Sequence, residues 1–200
     1  MAVTFGTNSD ETLTGTDGAD TIDGLAGSDL LLGGGGDDEL RGAGGMAGSQ
    51  NESPGADTLS GGTGADILRG GGGDDVYQFA RGDGNDTIID EYIYTAVNSF
   101  GLVLYTSDQD AGNDEISFGA GIVLDDLWID MVGDELIIGI KDGDTDLFDL
   151  SDSITITNWA DDRRQIESLR FDDGTVLDVE GIVTAISGHA GDDAIVWTDT

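Results

Sequence analysis

A nine-residue unit, Gly-Gly-x-Gly-x-Asp-x-apolar-x, recurs almost unbroken from Gly15 to Gln78 and leaves few folds open to this chain. The clearest copies start at Gly33-Gly34-Gly35-Gly36-Asp37-Asp38, Gly61-Gly62-Thr63-Gly64-Ala65-Asp66 and Gly70-Gly71-Gly72-Gly73-Asp74-Asp75, and altered copies start at Gly6, Gly15 and Gly24. Glycines at positions one, two and four allow backbone angles closed to residues with a Cβ, so the first six residues can form a tight turn with carbonyl oxygens at its inner edge. The last three read polar–apolar–polar around one inward side chain, which is a very short strand. The inward residues are Leu13, Ile22, Leu31, Leu40, Leu59, Leu68, Tyr77 and Ile88. One apolar residue in nine cannot make a core alone. Stacked turns would line these residues into a thin ladder, and something else has to hold the turns together.

The carboxylate at position six adds a hard, charged oxygen to the turn's carbonyls, and hard oxygens are what Ca²⁺ prefers. On these residues the chain resembles the repeats-in-toxin, or haemolysin-type calcium-binding, family. The resemblance implies an all-β fold: a right-handed parallel β-roll in which two consecutive repeats complete one turn, so that repeats two apart stack on the same side. It also implies an ion between stacked repeats, held by both aspartates and by carbonyls at positions one to four. Carried onto this chain, the metal ligands are Asp20, Asp29, Asp38, Asp57, Asp66, Asp75 and Asp86, with the turns Gly33, Gly34, Gly35, Gly36; Gly61, Gly62, Thr63, Gly64; and Gly70, Gly71, Gly72, Gly73. The implied pairs are Asp20 with Asp38, Asp29 with Asp57, Asp38 with Asp66, Asp57 with Asp75, and Asp66 with Asp86. The first copy departs from the pattern, with Ser9 for glycine and Glu11 for aspartate. The fifth is interrupted. It begins Gly42-Ala43-Gly44 and resumes at Gly55-Ala56-Asp57, and the 45–54 segment between carries Ser49, Gln50, Asn51, Glu52 and the single proline, Pro54. It reads as an exposed loop at the metal edge, either a tolerated insertion or a recognition loop.

Composition bears on the same question. The chain has 42 acidic and seven basic residues, a net charge of −35, and 34 glycines. Such self-repulsion opposes compaction, and the repeat half is poor in apolar residues. About five calcium ions would return roughly ten positive charges where the carboxylates crowd. The expectation is a repeat half that is largely unfolded without calcium and folds on binding it. The acidity argues against nucleic acid as a partner, which needs clustered Lys and Arg. No run of eighteen apolar residues is present to span a bilayer, and Met1-Ala2-Val3-Thr4-Phe5-Gly6 has neither the basic nor the apolar region of a cleavable leader. Cysteine is absent, so disulfides and thiolate metal sites drop out. The resemblance implies secretion by type I machinery, guided by an uncleaved C-terminal signal. Extracellular calcium modules bind in roughly the 10⁻⁴–10⁻³ M range, so such repeats would stay empty inside a cell and fold outside it.

Beyond the repeats the pattern changes. Residues 79–90 resemble the family's closing half-repeat. In 91–113, Tyr92, Ile93, Tyr94, Phe100, Leu102, Val103, Leu104 and Tyr105 flank Asn98-Ser99-Phe100-Gly101, which predicts a hairpin. It either covers the roll's end or presents an aromatic patch to a cell-surface glycan or protein. Strands are predicted at 115–118, 127–131, 135–140, 153–157 and 168–171, with turns at Gly133-Asp134, Asp142-Gly143 and Asp173-Gly174, and a short helix over 178–186. The segments 113–119, 154–159 and 166–175 resemble the haemolysin-type calcium-binding related domain, which implies a β-rich cap over the roll's open edge. Asp142-Gly143-Asp144-Thr145-Asp146 opens like an EF-hand loop, but Leu147 and Ser153 stand where that loop needs glycine and the bidentate glutamate. Gly188-His189-Ala190-Gly191-Asp192-Asp193 fits the repeat once more, as the start of a further array or as part of an export signal.

The expected organisation is therefore a calcium-binding β-roll over 1–90, a hairpin linker over 91–113, a β-rich cap over 114–186 and a tail over 187–200. No catalytic residues are singled out. A His-Glu-x-x-His zinc helix needs two histidines where this chain has one, His189, and no Gly-x-Ser-x-Gly elbow is present. Carboxylate-only hydrolysis stays open, but it needs a paired acid and base in a cleft, and no pair stands out. The function expected is a non-enzymatic, secreted module that folds on structural Ca²⁺. The alternative is a calcium-dependent adhesin or carbohydrate-binding appendage of a larger secreted protein or enzyme.

Overall fold

The computed structural model describes residues 1–43, 55–97, 103–109, 111–141 and 151–189. The predicted 45–54 loop, the Asn98–Gly101 turn, the Asp142-Gly143 turn and the tail beyond His189 lie outside them. Nine short strands come from the repeats: β1 (Val3–Phe5), β2 (Thr12–Thr14), β3 (Thr21–Leu25), β4 (Leu30–Gly35), β5 (Glu39–Ala43), β6 (Thr58–Thr63), β7 (Ile67–Arg69), β8 (Val76–Phe79) and β9 (Asn85–Ile88). They alternate between two parallel sheets: β1, β3, β5, β7 and β9 lie in one, and β2, β4, β6 and β8 in the other. This is the β-roll read from the repeat.

Register follows the one apolar residue in each unit. Leu13 pairs with Leu31, Leu31 with Leu59, and Leu59 with Tyr77. On the facing sheet Ile22 pairs with Leu40, Leu40 with Leu68, and Leu68 with Ile88. Every one of these side chains is buried except Leu13, at the roll's first turn, which is partly buried. A one-residue slip would turn each file outward, so the pattern admits a single pairing.

Past the roll, the chain continues both sheets rather than starting a separate layer. β10 (Tyr92–Val97) and β11 (Val103–Gln109) form their own antiparallel hairpin, as predicted. β12 (Asp114–Phe118) then adds parallel to β8, and β15 (Ser153–Ile156) adds parallel to β9. β13 (Leu127–Val132) and β14 (Glu135–Ile140) extend the first sheet through β15, while β16 (Ile166–Arg170) and β17 (Val176–Asp178) extend the second through β12. The inward files run on with them, Tyr77 to Ile116 to Leu169 and Ile88 to Ile156. Both edges of the roll's last turn are thus paired, which removes an exposed template for another strand.

The cap is where the apolar content rises. Leu127, Ile129, Leu136, Ile138, Ile140, Ile154, Trp159, Ile166 and Phe171 are buried, and α1 (Val179–His189) lies against β13, β16 and β17 with Ile182 fully covered. The structure adds two features that the sequence reading did not contain, strand β17 and a short 3-10 turn at Leu124–Asp126. Where the second sheet's rungs have Gly15, Gly33 and Gly61 two residues after the inward side chain, the rungs nearer the cap have Phe79, Phe118 and Phe171. Phe79 meets Phe118 edge-on at 6.5 Å, and Phe118 stacks on Phe171 at 5.2 Å. A polar glycine edge becomes an aromatic one.

The single inward side chain per repeat should dominate stability. Leu68→Ala should cost about 2–5 kcal/mol, whereas Ile67→Ala, the adjacent residue on the outer face, should change stability by about 0.5 kcal/mol or little more. Denaturant melts of the two variants check this.

Candidate metal centre

The turns stack in two columns, one along each edge of the roll. One carries Glu11, Asp29, Asp57 and Asp75, and the other carries Asp20, Asp38, Asp66 and Asp86. All seven predicted aspartates are buried, at 3 % exposure or less. Each is held the same way. Its backbone N–H donates to Oδ1 of the aspartate in the next turn of its column: Asp20 to Asp38, Asp29 to Asp57, Asp38 to Asp66 and Asp57 to Asp75, all at 2.7 Å, and Asp66 to Asp86 at 3.0 Å. These stacked neighbours are the five pairs that the family resemblance implied. The interrupted fifth repeat keeps its place, since Asp57 is bonded on both sides and Gly73 stacks on the Gly55 carbonyl.

The ladder extends further than the repeats suggested. Asp75 N–H donates to Asp114 Oδ1 at 2.6 Å, and Asp114 N–H donates to Glu167 Oε2 at 2.6 Å. Ala111-Gly112-Asn113-Asp114 is in effect one more turn: Gly73 N–H donates to the Ala111 carbonyl at 2.7 Å and Asn113 N–H to Asp74 Oδ1 at 3.1 Å. The signal was present as Gly-x-Asp-x-apolar at Gly112–Ile116, but the hairpin separates it from the residue that opens its turn. The other column ends at Asp152, whose carboxylate accepts from the N–H groups of Gly82 and Gly84.

Glycine builds the cradle. A Cβ on Gly24 would lie 2.5 Å from Asp29 Oδ2 and 2.9 Å from the Gly42 carbonyl oxygen. The same two kinds of oxygen crowd Gly33, from Asp38 and Gly61, and Gly42, from Asp57 and Gly70. At Gly61 and Gly70 the crowding atoms include Oδ2 of Asp66 and of Asp75. At position two, Gly34, Gly62 and Gly71 have φ of 108°, 87° and 102°, a region that side chains avoid. Gly36, Gly64 and Gly73 at position four also have positive φ, and Gly35, Thr63 and Gly72 fill the turns between them.

The second carboxylate oxygen decides the chemistry. Oδ2 of Asp29, Asp38, Asp57, Asp66, Asp75 and Asp114 is buried with no hydrogen-bond partner. A buried ionised carboxylate left unpaired costs several kcal/mol. Ion pairs elsewhere engage the arginines: Arg41 with Glu39, Arg69 with Glu91, Arg81 with Asp126 and Arg170 with Glu115. Apart from the N-terminal ammonium, 3.8 Å from Asp20 Oδ1 at the first rung, these cations are not arranged to neutralise the ladder. A hard divalent cation fits this donor set, with unpaired carboxylate oxygens, converging backbone carbonyls and no soft ligand. Among the described residues no three carboxylates, histidines or cysteines close around one point, so carbonyls have to complete each shell. Asp86 Oδ2 is not in this set, and neither is that of Asp20. Asp20 Oδ2 already accepts from the Thr16 N–H and hydroxyl, both at 2.7 Å, and Glu11 is satisfied in the same way by Thr7.

Burial pushes Asp57 and Asp66 up to about 6, and Asp75 and Asp86 up to about 8, with neighbouring carboxylates adding to the effect. Asp29 and Asp38 move up for the same reason, while the Ala2 N–H and then the Thr16 hydroxyl hold Asp20 down. A raised folded-state value means that the metal-free fold binds more protons than the unfolded chain, so its stability falls as pH rises from about 4 to about 8. Metal-stripped protein should therefore show more β-structure by circular dichroism at pH 4.5 than at pH 8.

Comparison with known proteins agrees with this geometry. The profile of the RTX calcium-binding nonapeptide repeat (4 copies) matches residues 5–45 and 53–88, and that of the haemolysin-type calcium binding protein related domain matches residues 135–180. No curated protein matches the chain in sequence. Among solved structures, the AlgE6R3 subunit of the Azotobacter vinelandii mannuronan C5-epimerase is 21% identical, over 98% of this chain and 90% of that one, with a TM-score of 0.27. Extracellular lipase LipA from Serratia marcescens is 14% identical, over 84% of this chain and 39% of that one, with a TM-score of 0.31. At those scores neither structure bears on function here, and the chain spans well under half of the lipase.

Proposed function

Because the chain carries RTX calcium-binding nonapeptide repeats followed by a haemolysin-type calcium binding protein related domain, we propose that it is a non-catalytic module that folds on binding structural Ca²⁺. The observation that carries this is the row of buried, partnerless Oδ2 atoms along both columns. Asp29, Asp38, Asp57, Asp66, Asp75 and Asp86, with Asp20 at the first rung, are the proposed side-chain ligands, and the first four residues of each turn supply carbonyls. About five ions fit the five aspartate pairs. Each would hold two turns together and cancel two charges in a chain of net charge −35.

Secretion is the setting that such weak sites suit, because roughly millimolar calcium outside a cell would fill repeats that stay empty within it. Type I export of a pliable chain, folded on arrival, is the route proposed. Among the described residues no helix is long and apolar enough to cross a membrane. A second reading, a calcium-dependent adhesin or carbohydrate-binding appendage, is supported by the β10–β11 hairpin, which stands apart from both large sheets and exposes Ile93. A glycan array probed with and without calcium separates the two: a calcium-dependent hit that is lost on deleting 92–109 supports the second.

Calcium titration of metal-stripped protein at pH 7.5, followed by circular dichroism, should raise the β signal cooperatively. An unchanged β signal in excess chelator would falsify calcium-driven folding. Gly33→Ala places a methyl group among the oxygens of the Asp38 turn and should lower the calorimetric stoichiometry by one ion, with a midpoint shifted several-fold upward. With calcium saturating, stability should rise with pH over the window where the metal-free chain loses it, because metal competes with protons for the same oxygens.

A further inference from the structure

In the column that carries Asp29, Asp57 and Asp75, each turn opens two residues after an inward side chain. Gly24 follows Ile22, Gly42 follows Leu40 and Gly70 follows Leu68, but Asp90 follows Ile88. In the earlier turns that first glycine lies against Oδ2 of its own aspartate. In this turn the aspartate is Asp114, and the opening residue brings a carboxylate of its own. Asp90 is 1 % exposed, and neither of its oxygens has an N–H or O–H donor. Its direct neighbour is the Asp114 carboxylate, and the charges of Glu167 and Asp75 also act on it. Oδ2 of Asp75 and Oδ2 of Asp114 are also buried and unpartnered. The Tyr77 hydroxyl, which accepts from Gly70 N–H at 2.9 Å, faces the same three aspartates.

We infer that Asp75, Asp90 and Asp114 form a junction cation site, distinct in composition from the ladder sites, that binds a hard divalent ion between the roll and the first cap strand. An ordinary rung offers two carboxylates, and this one has a third beside them, next to Asp114. Three buried negative charges without a donor cost several kcal/mol each unless a cation compensates them. The carboxylates lie along the column and do not surround one point, so carbonyl oxygens of the flanking turns share the coordination. The three side chains come from β8's turn, from the residue that ends the roll and from the turn that opens β12. One ion would therefore close the loop formed by residues 91–113 and fix β12 against β8. Higher charge predicts tighter binding of Ca²⁺ than at the rungs and a preference for trivalent lanthanides. This inference rests on the calcium reading above, and the competing occupant is a proton shared between Asp90 and Asp114.

The full chain, metal-stripped, is titrated calorimetrically with Ca²⁺ alongside Asp90→Gly, which restores the repeat's own residue, and Asp90→Asn, which keeps the shape and removes the charge. Asp90→Gly leaves an ordinary two-carboxylate rung and should bind one ion at least tenfold more weakly, and Asp90→Asn should bind that ion at least tenfold more weakly or not at all, with the other sites unchanged in both. Tb³⁺ emission excited through tyrosine should fall in both variants and in Tyr77→Phe. Stoichiometry and affinities equal to those of the parent chain in both variants would overturn the site and leave the ladder standing; no calcium binding by the parent chain would overturn the ladder reading itself. Should the variants not fold, an anomalous difference map of the parent protein crystallised with Tb³⁺ decides the matter: a peak between Asp75, Asp90 and Asp114 supports the site, and peaks at the rungs alone reject it.

Discussion

An unpaired negative charge inside the protein is the constraint from which the rest follows. Asp29, Asp38, Asp57, Asp66, Asp75 and Asp114 each point one oxygen at the preceding turn's backbone and leave the other buried without a partner. In most proteins an arginine or lysine would answer such a group, but here the basic residues form their ion pairs elsewhere, with Glu39, Glu91, Asp126 and Glu115. Within the chain itself, among its described residues, those oxygens have no partner. Its turns can stack closely only because glycine keeps side-chain atoms out of the space the oxygens share, so the residue that makes the fold tight is also the one that makes room for metal.

The two halves of the molecule solve the cohesion problem differently while sharing the same sheets. In the roll, one apolar side chain per nine residues gives a core a single file deep on each sheet. In the cap, strands alternate over five or six residues and bury several large side chains each. The change is abrupt at the second sheet's edge, where Phe79, Phe118 and Phe171 take over from glycine. Because β12 and β15 pair directly with β8 and β9, the cap's hydrophobic stability is transmitted to the last turn of the roll through backbone hydrogen bonds. A roll edge held this way resists fraying even where metal is scarce.

Much of this was legible in the residues. The inward file and the cap strands follow from a period of nine and from period-two alternation, which are local signals, and the five aspartate pairs are what the family resemblance implied. Asp114, Glu167 and Asp152 were missed for one physical reason: they join the columns through contacts 39 to 70 residues apart, where spacing no longer carries information. Asp20 shows a local difference that spacing does not carry. Its position in the repeat matches that of Asp38, but a hydroxyl at position two, from Thr16, satisfies the oxygen that the glycine copies leave open. The pattern described the backbone correctly, and a single neighbouring side chain altered the chemistry.

Both long departures from the repeat occur within the glycine turn of the unit. One repeat opens Gly42-Ala43-Gly44 and resumes at Gly55, the other opens at Asp90 and resumes at Ala111, so that Gly55 and Gly112 take position four of turns in the same column. Only the turn containing Asp75 separates the two rungs, so their exit points are roughly 10 Å apart along one edge. A scaffold of this kind displays foreign segments at intervals set by the strand spacing, all facing one way. Peptides grafted at these two points would be presented as neighbours, and an added pair of repeats between them would move them apart by one further step.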